Sequence, residues 1–471
     1  MRHARLRPRP VLSAIVVGIV ALGAAGGVAY AGERSHHATP TDTAQASPAT
    51  ATSAGSTGHT SAPTTAAPPA PTPTPTPTPD PTPDPNAEFT IVAAGDVLPH
   101  MAVDADAKTA NGGYDFTKEF SAIAPWLQGA DLAICHFEVP VAPAGTPLSS
   151  YPVFGAPAQL VPALKAAGWD GCSTVSNHVE DRGFAGIQAT LDAFDAAGLG
   201  HAGSARSAAE EATPQLYQLQ RAGQTITVAD IAATFGTNGM PIGANTPWSV
   251  DLIDVPHMIA QAKAARAAGA DLVLASVHCC VEYQTQPTAQ QQQIDQALAD
   301  SGVIDLVIGH HAHVPQPIVK LPGGPQGQGM WVAYGLGNFI SNQDGSTTGV
   351  ANTASGVLLT VHVESQGAFP AEGRAAGPAH VTGVEWTPIT VDRTGGHVVY
   401  AMPDIPQGTK TLSAAEVAKR TAAVAAAVGT QAPERTTPPT PTGPKAVVIP
   451  RVPAATAVPA TTAGPTAAPS G

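Results

Sequence analysis

The sequence predicts an α/β fold in which strands and helices alternate through one central region, residues 88–403. Short apolar runs recur there, separated by stretches with helical spacing. Hydrophobic residues make up 43 % of the 471-residue chain, ample for a core if concentrated in that region. Gly and Pro number 47 each, and the Pro-rich stretches near both ends leave the centre to carry the fold. Charged residues are only 12 %, about half the usual share of roughly 25 %. The formal net charge of −13 offers nothing general to a phosphate backbone, so a nucleic-acid partner is excluded.

Along the chain, Arg2, Arg5, Arg7 and Arg9 precede an apolar run from Val11 to Ala29 and the small-residue site Ala29-Tyr30-Ala31. This is the layout of an export signal. Cleavage after Ala31 and retention of residues 1–31 as an N-terminal anchor both fit it. Either way the protein is expected to be exported, to the outer face of the membrane, the wall or the medium. Residues 32–87 read as a disordered Pro/Thr-rich linker, because Ala, Thr, Ser and Pro cannot bury enough surface to offset ordering entropy. Proline at every second position from Pro71 to Pro85 predicts an extended spacer of about 45 Å.

Inside 88–403 the run Phe89–Asp96 predicts a strand ending in Gly-Asp, and 116–127 has helical spacing. A strand over 131–138, a helix over 158–167, a strand over 170–176 and a helix over 186–197 come next. After them stand a strand over 225–231, a helix over 256–268, a strand over 271–278, a helix over 289–301 and a strand over 304–309. Met330–Leu336 and Val357–Val363 close the series as strands. Such alternation implies crossovers and sheets covered by helices. Residues 404–471 read as a mostly disordered Pro/Thr/Ala-rich tail. Of the four cysteines, Cys135 and Cys172 sit near strand ends where a disulfide is feasible. Cys279-Cys280 fits a vicinal pair, thiol ligands or, most simply, buried thiols.

The chemistry gathers just after the apolar strands, where α/β sheets bind their ligands. Five segments deliver polar groups: Asp96 with His100, His136 and Glu138, Asn177-His178, His278, and His310-His311-Ala312-His313. Seven of the 16 histidines lie in these segments. Each has an ordinary reading alone: a turn Asp, a capping Glu, a core His. Their conjunction at successive strand ends is what points to a site. Carboxylate, amide and imidazole ligands together suit Mn, Fe or Zn, and a carboxylate between two such divalent ions can bridge them. His178 then stands beside the ligands as general acid or oxyanion stabiliser.

Several blocks, from Phe89 to Ile340, resemble a known family. They are Ala94-Gly-Asp-Val-Leu98, Asp131-Leu-Ala-Ile-Cys-His-Phe-Glu138, Ser176-Asn-His-Val-Glu-Asp-Arg-Gly183, Ser276-Val-His-Cys-Cys-Val-Glu-Tyr283, Ile308-Gly-His-His-Ala-His-Val-Pro-Gln316 and Tyr334-Gly-Leu-Gly-Asn-Phe339. In order and spacing they are similar to the CapA-type capsule-synthesis proteins associated with poly-γ-glutamate, whose fold is that of the calcineurin-like metallophosphatases. The resemblance implies a four-layer α/β/β/α sandwich. It implies metal-binding roles at Asp96, Glu138, Asn177, His278, His311 and His313, and His178 as the catalytic residue. His100, His136, His310 and Asn338 are additional site candidates. The chain departs from the family pattern at Ser176, at His136, at Cys279-Cys280 and at Ala312, none of which removes an implied ligand.

The implied function is synthesis, transfer or anchoring of an anionic envelope polymer, with that polymer or its synthase as partner and a metal-dependent hydrolase or transferase site. The alternatives are a general extracellular metallophosphoesterase and a non-catalytic envelope-binding module.

Overall fold

The computed structural model describes residues 82–451; the expected export signal and nearly all of the expected linker lie outside the described residues. In chain order the strands are β1 (Ala87–Leu98), β2 (Leu132–Phe137), β3 (Gly171–Ser173), β4 (Gly200–Ala202), β5 (Gln215–Arg221), β6 (Gln224–Thr234), β7 (Leu272–His278) and β8 (Leu306–His310). They continue with β9 (Ile318–Leu321), β10 (Met330–Ala333), β11 (Asn338–Ser341), β12 (Ser355–Ser365), β13 (Ala379–Asp392), β14 (Val398–Ala401) and β15 (Val447–Ile449). The helices of eight or more residues are α1 (Leu160–Ala167), α2 (Gly183–Ala197), α3 (Val255–Ala267), α4 (Ala289–Asp300) and α5 (Ala414–Val428).

One sheet runs β14-β13-β12-β1-β2-β3-β4, with β11 also on β1; the other runs β15-β5-β6-β7-β8-β10-β9. β1 to β4 are mutually parallel, as are β6, β7, β8 and β10. Their apolar runs are continuous because both faces are covered. In β1 the side chains of Phe89, Ile91 and Ala93 join Leu272, Leu274, Leu306 and Ile308 in the core between the sheets. Val92 and Ala94 join Leu160, Leu164 and Phe194 of α1 and α2 on the outer face. On the far side, Val273, Ala275 and Val277 pack with Met258 of α3 and Leu298 of α4. The result is a helix–sheet–sheet–helix sandwich of the metallophosphatase type.

Some expectations are corrected. The predicted helix over 116–127 is two short ones, Thr117–Phe120 and Ala124–Gln128, the second with Pro125 in its first turn, a position proline favours. Cys279 and Cys280 form a bonded pair, one of the readings the sequence left open though not the simplest, while the bond from Cys135 to its register partner Cys172 is as the strand ends allowed.

The largest correction concerns the tail, expected to be mostly disordered from 404. The fold continues to residue 451. Ser413 caps α5 by accepting from the Glu416 N–H, and Val417, Val424 and Val428 enter the inter-sheet core. β15 then adds an antiparallel edge to β5. Composition averaged over this stretch conceals a few anchoring residues and a main-chain pairing that low-complexity sequence does not advertise.

Candidate metal centre

Strand register brings the polar groups together. In the first sheet Asp96 is the partner of both His136 and Asn338; in the second His278 is the partner of Thr234 and His310. β1 changes partners at this level, pairing with β12 up to Ala94 and with β11 from Asp96. Gly95 permits the switch: a Cβ there would lie 1.8 Å from the Gly337 carbonyl oxygen. The Asp96 N–H donates to that same oxygen at 2.9 Å.

Around Asp96 the imidazoles converge. Its Oδ2 lies 3.0 Å from His313 Nδ1, and its Oδ1 lies 3.8 Å from His310 Nδ1 and 4.0 Å from His136 Nε2. Glu138, next after β2, has Oε1 3.6 Å from His313 Nε2. Asn177 Oδ1 meets His278 Nε2 at 2.8 Å, and the His278 and His311 rings are 4.7 Å apart. His311 and His313 have φ of 83° and 55°, a region that is strained for such residues and found where function requires it. The turn is held by the Tyr283 N–H, which donates to the Ala312 carbonyl at 2.8 Å.

The proposed catalytic histidine is oriented by a residue that sequence reasoning did not single out. His178 Nδ1 is 2.8 Å from Asp181 Oδ2, and the same carboxylate oxygen accepts the Phe154 N–H at 2.6 Å. With Nδ1 engaged in a hydrogen bond to Asp181, the ring leaves Nε2 as the atom that can take or deliver a proton. Asn238 ties down the neighbouring residue, its amide oxygen accepting from Asn177 Nδ2 at 3.2 Å. Spacing offered one clue, since a carboxylate three residues after a histidine can fold back onto it; Asn238 had none.

The additional candidates separate. Asn338 Oδ1 lies 3.0 Å from His313 Nδ1, so it positions that ring and leaves Nε2 turned toward Glu138. His136 is sandwiched by the rings of His310 and His278, at 4.1 and 4.8 Å. His100 stands apart: its Nδ1 is 3.1 Å from the Leu98 carbonyl and its ring is edge-on to Phe154. Glu282, which sequence reasoning passed over, joins His311 and His313 in a group whose ligand atoms lie within 4.8 Å of one another. Asp96–His136–His278 and Asp96–Glu138–His313 form two more such groups.

The electrostatics suit cations. Asp96 and Glu138 are 0 % and 1 % exposed, and both Glu138 oxygens, His136 Nε2, His278 Nδ1, His311 Nδ1 and both His310 nitrogens lack a hydrogen-bond partner among the described residues. Buried polar atoms are ordinarily paired, so this many orphans in one place fit a bound metal. Burial pushes His136 and His278 well below the ordinary imidazole range, His310 down to about 4 and His311 to about 3. Neutral imidazoles are the form that binds metal; His313 is the exception, its proton held by Glu138 and Asp96, and it would have to release that proton to bind one. Burial would lift Asp96, but His313 outweighs it and holds the carboxyl at about 2. Burial likewise lowers His313, and the charge of Glu138 with the Asp96 hydrogen bond overcomes this and raises it.

The match to a family model decides the kinship. Residues 90–343, more than half the chain, match the model of the bacterial capsule synthesis protein PGA_cap family. The chain belongs to this family. Among curated relatives it is 27 % identical over 296 residues to the capsule biosynthesis protein CapA of Bacillus anthracis, covering 60 % of this chain and 66 % of that one. It is 28 % identical over 258 residues to the PGA biosynthesis protein CapA of Bacillus subtilis (strain 168), covering 53 % and 62 %. The matched region thus spans just under two thirds of those relatives. Solved structures similar to it include the NAD nucleotidase NadN of Haemophilus influenzae (TM-score 0.37, 13 % identity, 72 % of this chain and 60 % of that one). Another is a putative 5′-nucleotidase from Staphylococcus aureus (TM-score 0.34, 12 % identity, 63 % and 54 %). Both are too distant to inform the site. The PGA_cap member described here is a CapA-like protein of metallophosphatase fold with side-chain groups able to coordinate metal ions.

Proposed function

We propose that this protein is exported and acts in the synthesis, transfer or anchoring of an anionic, poly-γ-glutamate-like capsule polymer through a metal-dependent hydrolase or transferase site. One observation carries the reading: carboxylates, an amide and imidazoles from five chain segments meet in a single buried cluster, many of whose polar atoms lack partners among the described residues. Residues 1–31 serve as signal or anchor, 32–87 as a linker, and the domain after them as the working unit.

Asp96, Glu138 and His313 would hold one divalent ion of the Mn, Fe or Zn type. Asn177, His278 and His311 would hold a second. Bound there, such ions supply Lewis acidity and activate water; they also give an acidic protein local positive charge for a polyanion. The chain's own contribution is proton handling and orientation. His178 delivers a proton from Nε2 to the leaving group, while Asp181 keeps its ring in register and stabilises the charged form. Asn338 holds the His313 ring.

The test uses the full chain, stripped of metal and reloaded with Mn²⁺, assayed on poly-γ-glutamate and on an aryl phosphate. The expected result is metal-dependent turnover of the polymer amide, reduced roughly 10²–10⁴-fold by His178→Ala with metal content unchanged. Turnover of the phosphate ester alone overturns the polymer reading in favour of a phosphoesterase. No turnover of either, with polymer binding indifferent to metal, overturns catalysis altogether.

A further inference from the structure

A second polar cavity lies away from the histidine cluster, near the C-terminal edge of the described fold. It has a volume of about 210 Å³ and is lined by Glu211, Asp230, Asp251, His257, Gln261 and Arg451 among small apolar residues. Glu211, Asp251 and His257 each offer a ligand atom, and these atoms lie within 4.8 Å of one another. Ligands on one tetrahedral ion at about 2.0–2.2 Å sit roughly 3.3–3.6 Å apart. Half-exposed His257 (side chain 46 % exposed) has the freedom to close the difference.

Four internal facts show how far the pocket's polar groups satisfy one another and where they stop. The Arg451 guanidinium donates to the carbonyls of Thr213, His201, Ser204 and Glu210, so it is committed to main chain and makes no ion pair with the cavity's carboxylates. Gln261 Nε2 is shared between Glu211 Oε1 at 3.2 Å and Asp251 Oδ2 at 3.0 Å, a neutral donor holding two acids together. His257 Nε2 lies 3.0 Å from Glu211 Oε1. Independently of that trio, Asp230 lines the same cavity at 1 % exposure. Its Oδ1 is 3.3 Å from Ser276 Oγ, and its Oδ2 has no partner among the described residues. A buried carboxylate oxygen without a donor is costly, and a cation or a cation's water would compensate it.

We propose that this cavity is a second divalent-cation site, with Glu211, Asp251 and His257 as ligands and Asp230 facing the water that completes the coordination. Two carboxylates and one imidazole select a borderline ion of the Zn²⁺ or Mn²⁺ kind. Its residues come from β6, the loop before α3, α3 itself and the short helix Ala208–Glu211, none of which carries a ligand proposed for the histidine cluster. An ion there would tie that helix and α3 together, a structural role separate from any turnover.

The test counts bound metal. The metal-stripped full chain is titrated with Zn²⁺ alone by isothermal calorimetry, beside His257→Ala, Glu211→Gln and His278→Ala. The expected result is that His257→Ala and Glu211→Gln each lose one equivalent or weaken it at least tenfold, while His278→Ala retains that equivalent. His257 is exposed enough for its alanine variant to fold, and a far-ultraviolet circular dichroism spectrum matching the parent verifies this. Equal stoichiometry and affinity in the parent and both cavity variants overturns the proposal. Because the readout is binding, it is independent of whether the histidine cluster proves catalytic.

Discussion

Two carboxylates bracket the same buried strand and are treated in opposite ways. Asp131 stands just before β2 and Glu138 just after it, at 0 % and 1 % exposure. Asp131 is fully paired: Oδ1 accepts from Arg221 Nη2 at 2.7 Å and the Thr442 N–H at 2.8 Å, and Oδ2 accepts from the Thr90 N–H at 2.8 Å. Neither oxygen of Glu138 has a hydrogen-bond donor among the described residues. Burying a carboxylate costs several kcal/mol unless something compensates. At Asp131 the fold compensates for itself, stapling β1, β5 and the C-terminal segment. At Glu138 the described residues supply no such donor. Equal burial therefore goes with a satisfied carboxylate at one end of β2 and an orphaned one, in a group able to coordinate metal, at the other, and what distinguishes them is the tally of donors.

The sharpest way to break this contrast is Asp131→Ala, which strands the buried Arg221. It should cost about 3–5 kcal/mol in chemical denaturation; a loss under about 1 kcal/mol would mean the staple is ornamental. Glu138→Gln should do the reverse in the metal-stripped chain, leaving stability unchanged or raising it by up to about 1–3 kcal/mol, because burial lifts this carboxyl well above its usual range and that cost is removed with it. Bound metal, measured by elemental analysis, should fall at the same time. A stability loss matching that of Asp131→Ala would erase the distinction.

Asp104 extends the comparison to pH. It is buried, both its oxygens lack partners among the described residues, and burial pushes its carboxyl up to about 7. The folded chain therefore holds this proton more tightly than the unfolded chain, whose group titrates near 3.9. Its contribution is fully present below about pH 4, falls as pH rises to about 7 and is lost beyond. Asp104→Asn should thus gain about 1–2 kcal/mol over the parent at pH 8 and nothing at pH 4, read from urea midpoints at the two values. The smallest effect is expected at the rim, where Phe235 is 40 % exposed with its ring 4.6 Å from that of His311. Phe235→Ala should change stability by less than about 1 kcal/mol and act, if turnover is found, on KM more than on kcat.

The central strands were legible because β1, β2, β7 and β8 are apolar on both faces, and a run such as Leu272–Val277 has little other use. The ligand candidates were legible because each comes directly after such a run. The short pairings were not: β4 and β15 have three residues each, and their main-chain bonds leave almost no side-chain signature. Nor was the role of Asp181, since its closeness to His178 depends on a turn whose geometry is set by Phe154 and by Arg182, which donates to the Phe154 carbonyl at 2.9 Å. The tail beyond Pro403 was misread because its anchoring residues are diluted among Ala, Thr and Pro.

By itself the sequence determined the chemical inventory and its position at strand ends, because apolar periodicity dictates where strands stop and which polar residues stand just beyond them. Only the tertiary structure decided which buried charges are satisfied. Asp131 finds its donors 90 residues away at Arg221 and 311 residues away at Thr442, while Glu138, at the other end of the same strand, finds none among the described residues. Hydrogen bonding acts over about 3 Å in space and is indifferent to separation along the chain, so no local pattern could have told the two apart.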